Sequence, residues 1–192
     1  PEIGFINCQY LAHALSSLID TDDLRRGMRE YELTYNSVFP ALMREKLGLT
    51  GDGEEDQGLI MDTFSMLHEH SVDFTRFFRG LSTLPSRGPE PVRDLFVDRS
   101  VADAWLERYE RRLESESLTS EERERAMCRV NPKYILRNYL AQHVIEAARE
   151  GDYAPLDELL TVLKQPFDEQ PEYERYAQVP PDWGRRMSIS CS

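Results

Sequence analysis

The three cysteines are the residues of this chain best suited to redox or nucleophilic chemistry: Cys8, Cys128 and Cys191. Their separations fit neither a zinc knuckle nor a CxxC redox motif, and an odd, sparse set of cysteines is typical of a reducing compartment. Cys8 and Cys128 fall in helical patterns, so we expect each to be a small buried hydrophobic residue. Cys191 is the penultimate residue, where burial is not expected and a thiol can react.

Other catalytic patterns are missing from the sequence. It contains no GxGxxG or GxxxxGK[ST] phosphate loop and no HExxH or GxSxG motif. His68 and His70 are two residues apart, which places them on different faces of a helix and makes a shared metal site unfavourable. His13 and His143 lie in helical patterns typical of surface or hydrogen-bonded core histidines. The sequence therefore predicts no catalytic, cofactor-binding or metal-binding residue in this chain.

The acidic stretch TGDGEEDQG, residues 50–58, is the one segment that could be mistaken for a calcium loop. Counted from Asp52, position 6 is Gln57 and position 12 is Thr63, whereas such a loop needs Gly and Glu there. Acidic residues at the start of a helix are explained by their favourable interaction with the helix dipole. We interpret the stretch as a loop followed by a helix N-terminus.

Composition narrows the classes of function. The chain has 192 residues, 40% of them hydrophobic and 30% charged, which is the balance of an ordinary soluble globular protein. Its net charge of −12 disfavours binding to DNA or RNA. No apolar run approaches the ~18–20 residues that would span a membrane. The first residue is Pro1 rather than Met, so we expect a fragment or a processed chain.

The elements that would position any functional residue are predicted to be helices, with no convincing strand. Asp20 to Asp23 supply a cap between the first two helices, Pro40 predicts a kink or break near Phe39, and Gly48 predicts a helix end. Thr119 opens a capping box, and Asn131 followed by proline predicts the start of the next helix. The predicted helical segments are 3–19, a long helix ending at Gly48, 59–67, 74–81, 101–113, 119–130, 131–150 and 155–164.

Two proline-rich segments interrupt this pattern. Residues 85–91 hold three prolines and a glycine and are predicted to be a loop. Residues 166–192 lack helical periodicity, and we expect an extended tail. Because Tyr173, Tyr176 and Trp183 would be unusual in a free tail, we expect it to pack against the helices. The chain is thus divided into a helical domain, 1–165, and a packed C-terminal tail, 166–192.

Several segments in a fixed order resemble the C-terminal region of the selenoprotein O family. They are NPKYILRNYLAQ (131–142), IEAAREGDY (145–153), KQPFDEQPEYERY (164–176) and the terminal PPDWGRRMSISCS (180–192). DFTRFFRGLS (73–82) also matches. Near the start, Asn7, Leu11 and Ala12 resemble the WNxxxLA helix of the family, with Ile6 in place of Trp.

The resemblance implies an all-α region that forms the helical C-lobe of a protein-kinase-like fold plus a C-terminal extension. Members of the family are pseudokinases that bind ATP with Mg or Mn and transfer AMP to Ser, Thr or Tyr of proteins. Their phosphate- and metal-binding residues lie in parts that would precede Pro1. The resemblance therefore implies a chain that is inactive alone, whose partners are the N-terminal kinase-like portion and protein substrates. It further implies a cytoplasmic location in a bacterium, or a mitochondrial one in a eukaryote.

The resemblance also bears on Cys191, which matches the position of a selenocysteine or of a regulatory cysteine in the family. That cysteine would pair with one upstream of Pro1, and the alternative is an inert exposed thiol. Two other hypotheses stay open. The chain could be a freestanding helical protein-interaction module, or a redox adaptor that acts through Cys191. If it is a fragment, we expect an apolar patch near Ile3, Phe5 and Ile6.

Overall fold

The computed structural model describes residues 2–51, 53–185 and 187, and this part of the chain is helical without any strand. The all-α prediction is confirmed. Its α-helices are α1 (Glu2–Leu15), α2 (Thr21–Leu47), α3 (Asp56–Glu69), α4 (Phe74–Ser82), α5 (Leu84–Arg87), α6 (Glu90–Arg93), α7 (Arg99–Leu113), α8 (Ser120–Val130), α9 (Asn138–Arg149), α10 (Ala154–Lys164) and α11 (Asp182–Arg185), with a 3₁₀ helix over Pro171–Ala177.

The main core lies where α3, α4, α6, α7 and α8 surround the C-terminal end of α2. Phe77 of α4 is fully buried, with its ring edge-on to Trp105 of α7 at a centroid distance of 5.2 Å. Tyr109, one turn further along α7, is buried with it and donates a hydrogen bond of 2.7 Å to the Leu47 carbonyl oxygen. Burial of these large side chains supplies most of the stability of such a helical assembly.

The helix caps follow the sequence closely. The Asp20 side chain accepts a hydrogen bond from the Asp22 amide and caps α2, and Gly48 ends that helix in the left-handed conformation with φ of 69°. Thr119 and Glu122 form the predicted capping box at α8. These local predictions are confirmed because a cap is decided by residues within one helical turn.

Two predictions that rested on proline need correction: α2 has no break at Pro40, and residues 85–91 are not a continuous loop. Pro40 lies inside α2, which continues unbroken from Thr21 to Leu47. The lost hydrogen bond is offset by packing on both sides, since Phe39 stacks on Tyr35 at 5.2 Å and Leu47 is fully buried in the core. The segment 85–91 was predicted to be a loop, but it contains most of α5 and the start of α6. A proline lies in the first turn of each of these short helices. The missing N–H of proline costs nothing there, because the first N–H groups of a helix have no partner within the helix.

The prediction that Asn131 starts a helix is also wrong. Asn131 ends α8, and residues 132–137 run without regular structure until α9 begins at Asn138. The side chain of Asn131 is fully buried and serves the tertiary structure: its amide donates to the Lys46 carbonyl oxygen at 2.9 Å and to Ser82 Oγ at 3.0 Å. The first helix, predicted over 3–19, ends earlier, at Leu15.

The described segment after α10 carries two short helices, the 3₁₀ helix and α11. After α10, the backbone amides of Lys133 and Tyr134 donate to the Pro166 carbonyl oxygen at 2.8 and 3.1 Å. Tyr176 is half-buried, and Trp183, although 59% exposed, lies edge-on to Tyr139 at 6.2 Å. The described tail therefore lies against the segment between α8 and α9, against α9, and against α10 through a hydrogen bond from Tyr176 to Glu158. Its division from the helical domain at residue 165 stays a prediction.

Candidate functional site

The candidate redox residue, Cys191, lies outside the described residues, and its regulatory role stays a prediction. The two other cysteines carry no disulfide and are half-buried rather than buried as expected. Cys128 lies on α8, and burial raises the pKa of its thiol, which makes the nucleophilic thiolate harder to form. Cys128 therefore lacks the lowered pKa of a reactive cysteine.

The histidines and acidic residues do not gather into a metal site in the described part of the chain. His13, His68, His70 and His143 are all exposed. Among the described residues no group of three or more His, Cys, Asp or Glu side chains is arranged to hold a metal ion. The same residues include no helix long and apolar enough to cross a membrane.

A buried ion network in the acidic loop is the first cluster that the sequence did not predict. Arg112 of α7 donates from Nε to Asp56 Oδ1 at 2.6 Å and from Nη1 to Glu116 Oε1 at 2.8 Å. The side chains of Asp56 and Glu116 are 3% and 2% exposed. Glu116 Oε2 in turn accepts from the Thr50 amide at 2.8 Å, and Asp56 Oδ2 accepts from the Gly53 amide at 2.9 Å. Asp56 thus fastens this loop to α7 through Arg112.

A second cluster joins α4, the segment after α8 and the tail, and we call it the tail latch: Arg79, Lys133, Glu169 and Glu174. Glu169 accepts from Arg79 Nη2 and from Lys133 Nζ, each at 2.7 Å, and Glu174 accepts from Lys133 Nζ at 2.5 Å. Arg79 also donates from Nη1 to the carbonyl oxygens of Cys128 and Asn131, both at 3.1 Å. Its Nε has no hydrogen-bond partner among the described residues.

The charge state of the tail latch follows from these contacts. Burial opposes the charge on Glu169, but hydrogen bonds from Arg79 and Lys133 outweigh it and hold the pKa of Glu169 at about 2. For Lys133, the hydrogen bonds to Glu169 and Glu174 overcome the effect of burial and raise its pKa. Both groups are therefore charged at neutral pH, and each cation already has a carboxylate partner.

The tail latch borders a cavity of about 270 Å³ that three further charged residues, Arg76, Arg87 and Asp94, also line. Four cations face three carboxylates there, so the cavity has little excess positive charge. A site for nucleotide phosphates needs cations that are free to neutralise the ligand. We therefore regard the tail latch as a structural connection rather than a phosphate site.

The segment 131–142 also serves as a structural connection, because it joins α4 to the tail. Tyr134 is buried and exchanges hydrogen bonds with the Gln170 backbone, donating to its carbonyl oxygen at 2.9 Å and accepting from its amide at 3.3 Å. Arg137 pairs with Asp73, the N-cap of α4, at 2.5 Å. Sequence reasoning could not find these contacts, because the partners lie 36 and 64 residues away along the chain.

The Glu169 contacts make a prediction about acid stability. Glu169→Gln removes a carboxylate that two cations share, and we expect the free energy of unfolding at pH 7 to fall by about 1 kcal/mol, because this side chain is 46% exposed and solvent screens the pair. A carboxyl pKa held low stabilises the fold above its unfolded value, about 4.3, and this stabilisation is lost as the pH falls towards 2. Urea unfolding at several pH values should therefore show the difference between wild type and variant shrinking below about pH 4.3. Glu172→Gln, an exposed acid of the same tail, is the control, and an equal loss in both variants would contradict the prediction.

Comparison with known proteins gives the class of this protein. The family model described as "Protein adenylyltransferase SelO" matches residues 1–164, so the chain belongs to the SelO family. The resemblance that the motifs of the sequence indicated is confirmed.

The chain is also similar to curated proteins, which are longer than it is. The chain is 48% identical over 192 residues to the "Protein nucleotidyltransferase YdiU" of Aliivibrio fischeri (strain MJ11), and 48% identical over 198 residues to the protein of the same name from Vibrio vulnificus (strain YJ016). A third, from Vibrio parahaemolyticus serotype O3:K6 (strain RIMD 2210633), is 44% identical over 198 residues. Each match covers all of this chain but 40% of the relative. The chain corresponds to a C-terminal portion of these longer proteins.

Proposed function

We propose that this chain is the helical C-terminal part of a pseudokinase-type adenylyltransferase, which in its full-length form transfers AMP from ATP to Ser, Thr or Tyr of proteins. The observation that carries the proposal is the family match over residues 1–164, together with relatives that are named nucleotidyltransferases. In such a transfer the hydroxyl oxygen of the acceptor bonds to the α-phosphorus and pyrophosphate leaves. The role of the chain would be to complete the kinase-like fold around a nucleotide site built by the rest of the protein.

The side chains of the described residues support the placement of that site elsewhere. Nucleotidyl transfer needs cationic clamps and metal-binding carboxylates around the phosphates. The least exposed cations of the two charged clusters, Arg79, Arg112 and Lys133, are each engaged by protein carboxylates. These three cations are not free to clamp phosphates, which supports a nucleotide site, with its Mg or Mn ion, in the rest of the longer protein.

The partners and location of the full-length protein belong to the same proposal. Its partners would be the N-terminal kinase-like portion of the same polypeptide and the protein substrates that receive AMP. A net charge of −12 disfavours nucleic acid as a partner. The relatives named above are bacterial, which favours the cytoplasm over the mitochondrion.

Two measurements test the proposed function. Calorimetric titration of the purified chain with ATP and Mg or Mn is expected to give no detectable binding. A fusion in which this chain replaces the matching C-terminal portion of the Aliivibrio fischeri protein is expected to transfer label from the α-phosphate of ATP to protein hydroxyls. Micromolar binding by the chain alone would contradict the placement of the nucleotide site. A fusion that folds and binds ATP but labels no protein would contradict the proposed activity.

A freestanding interaction module is the second candidate, because α1 exposes apolar side chains that a partner protein could cover. This candidate predicts that the isolated chain binds a partner without any nucleotide. The adenylyltransferase proposal predicts that labelling of protein requires both the chain and the remainder of the longer polypeptide. The fusion experiment, repeated with this chain deleted, separates the two.

A further inference from the structure

The outward face of α1 is apolar and exposed. Ile3 is 75% exposed, Ile6 44% and Tyr10 72%, and spacings of three and four residues place them on one side of the helix. Leu11, 60% exposed, flanks this face. None of the residues of α1 is fully buried. The apolar patch expected near Ile3, Phe5 and Ile6 is therefore present at Ile3 and Ile6 and extends to Tyr10, whereas Phe5 is half-buried and faces α2.

The opposite face of α1 is occupied by α2, so the helix is apolar on both sides. Phe5 lies 6.1 Å from Tyr31 between ring centroids. Gly4 faces the same ring so closely that a Cβ atom added there would lie 2.3 Å from the Tyr31 hydroxyl oxygen. The inward face thus already has its partner, and the outward face is a second apolar surface.

A helix with apolar side chains on two opposite faces buries both of them only when each face has a partner. The only Asp, Glu, Lys, Arg or His residues in α1 are Glu2 and His13, near its two ends. A surface of this kind matches an apolar partner and offers nothing that would attract a charged one. An exposed apolar face on this scale marks an interface.

We propose that the outward face of α1 is the surface on which the preceding portion of the longer polypeptide packs. This inference deepens the proposed function, because it names the surface through which the chain joins the rest of the enzyme. In the curated relatives 60% of the length lies outside the match (100% − 40%), and it precedes the region that corresponds to α1. A segment in the same polypeptide is present at an effective concentration of the order of mM. It therefore competes well against a second copy of the chain for this face.

The first test needs no substitution. Amide hydrogen exchange over residues 2–15 is compared between the isolated chain and the fusion with the Aliivibrio fischeri N-terminal portion. We expect exchange in the fusion to be slower by a factor of about ten or more, because covering the outward face stabilises α1. The amides of α4, which is buried in both proteins, serve as the internal reference. Equal exchange over residues 2–15 in the two proteins would overturn the proposal.

The second test uses a charge on the outward face. Ile6→Asp should leave the melting temperature of the isolated chain nearly unchanged, since this position is exposed there, and should lower that of the fusion by several degrees. Gln9→Asp, an exposed polar position on the same helix, should change neither. An Ile6→Asp substitution without effect on the fusion would overturn the proposal, as would a fusion that dimerises through this face and dissociates on the substitution. Loss of AMP transfer is not the readout, so a fusion that shows the expected stability difference but labels no protein would contradict only the proposed activity.

Discussion

Arg112→Met is expected to lower the free energy of unfolding at pH 7 by about 3 kcal/mol, the scale for breaking a buried ion pair by removing one partner. Arg112 is the cation between Asp56 and Glu116, whose side chains are almost fully buried. Without it, two carboxylates stay in a poorly solvated place with only hydrogen bonds from the loop. Urea unfolding monitored by circular dichroism measures the loss.

The loss should also depend on pH. Burial opposes the charge on Glu116, but hydrogen bonds from Thr50 and Arg112 prevail and lower its pKa. A lowered carboxyl pKa stabilises the fold above the unfolded value of about 4.3 and ceases to do so as the pH falls. The difference between wild type and Arg112→Met should therefore be largest at neutral pH and shrink in acid. Arg111→Met, at the exposed neighbouring position, is the control and should cost less than about 0.5 kcal/mol. A difference that grows in acid would contradict the role of the network.

Phe77→Ala is expected to have a comparable effect, about 4 kcal/mol, through the core instead of through charge. Phe77 is fully buried and contacts Phe78, Phe96 and Trp105, with ring centroids between 5.2 and 6.4 Å apart. Removing the ring leaves a cavity at the centre of the main core and removes the edge-on contact with Trp105. The free energy of unfolding and the near-ultraviolet circular dichroism should both decrease.

Phe74→Ala provides the matched control for that experiment. Phe74 lies on the same helix and is 39% exposed, with ring contacts to Phe64 and Phe78. Phe74→Ala should lower the free energy of unfolding by about half as much as Phe77→Ala or less, because water can reach the space that the Phe74 ring leaves. Equal losses at the two positions would mean that the core is not centred on Phe77.

The sequence predicted those features that depend on residues close together along the chain. The caps at Asp20, Gly48 and Thr119 were predicted correctly, because each involves residues within one helical turn. The family was also recognisable from short motifs that need no three-dimensional contact, and the comparisons confirm it. The absence of a phosphate loop or a hydrolase motif could likewise be established from the sequence alone.

Two of the failures concern residues whose conformation is set by more distant parts of the chain. Pro40 was expected to kink or break α2, but the helix continues through it without a break, with Phe39 stacked on Tyr35 and Leu47 buried in the core. Asn131 was expected to cap a helix, but its amide is used by Lys46 and Ser82, which are distant in the sequence. The helix propensity of a single residue changes the free energy of folding by about 3 kcal/mol at most. The tertiary contacts at these two positions outweigh it.

The sequence by itself therefore determined the helical class, most helix limits, the family and the lack of a recognisable catalytic motif. Only the tertiary structure decided that Asp56 of the acidic stretch pairs with Arg112, that Glu169 fastens the tail, and that α1 keeps a second apolar face exposed. The physical reason is that helical periodicity records which side chains are apolar, but not which neighbour covers them. Charge pairing over tens of residues leaves no periodic signal at all, and it becomes visible only when the chain is folded.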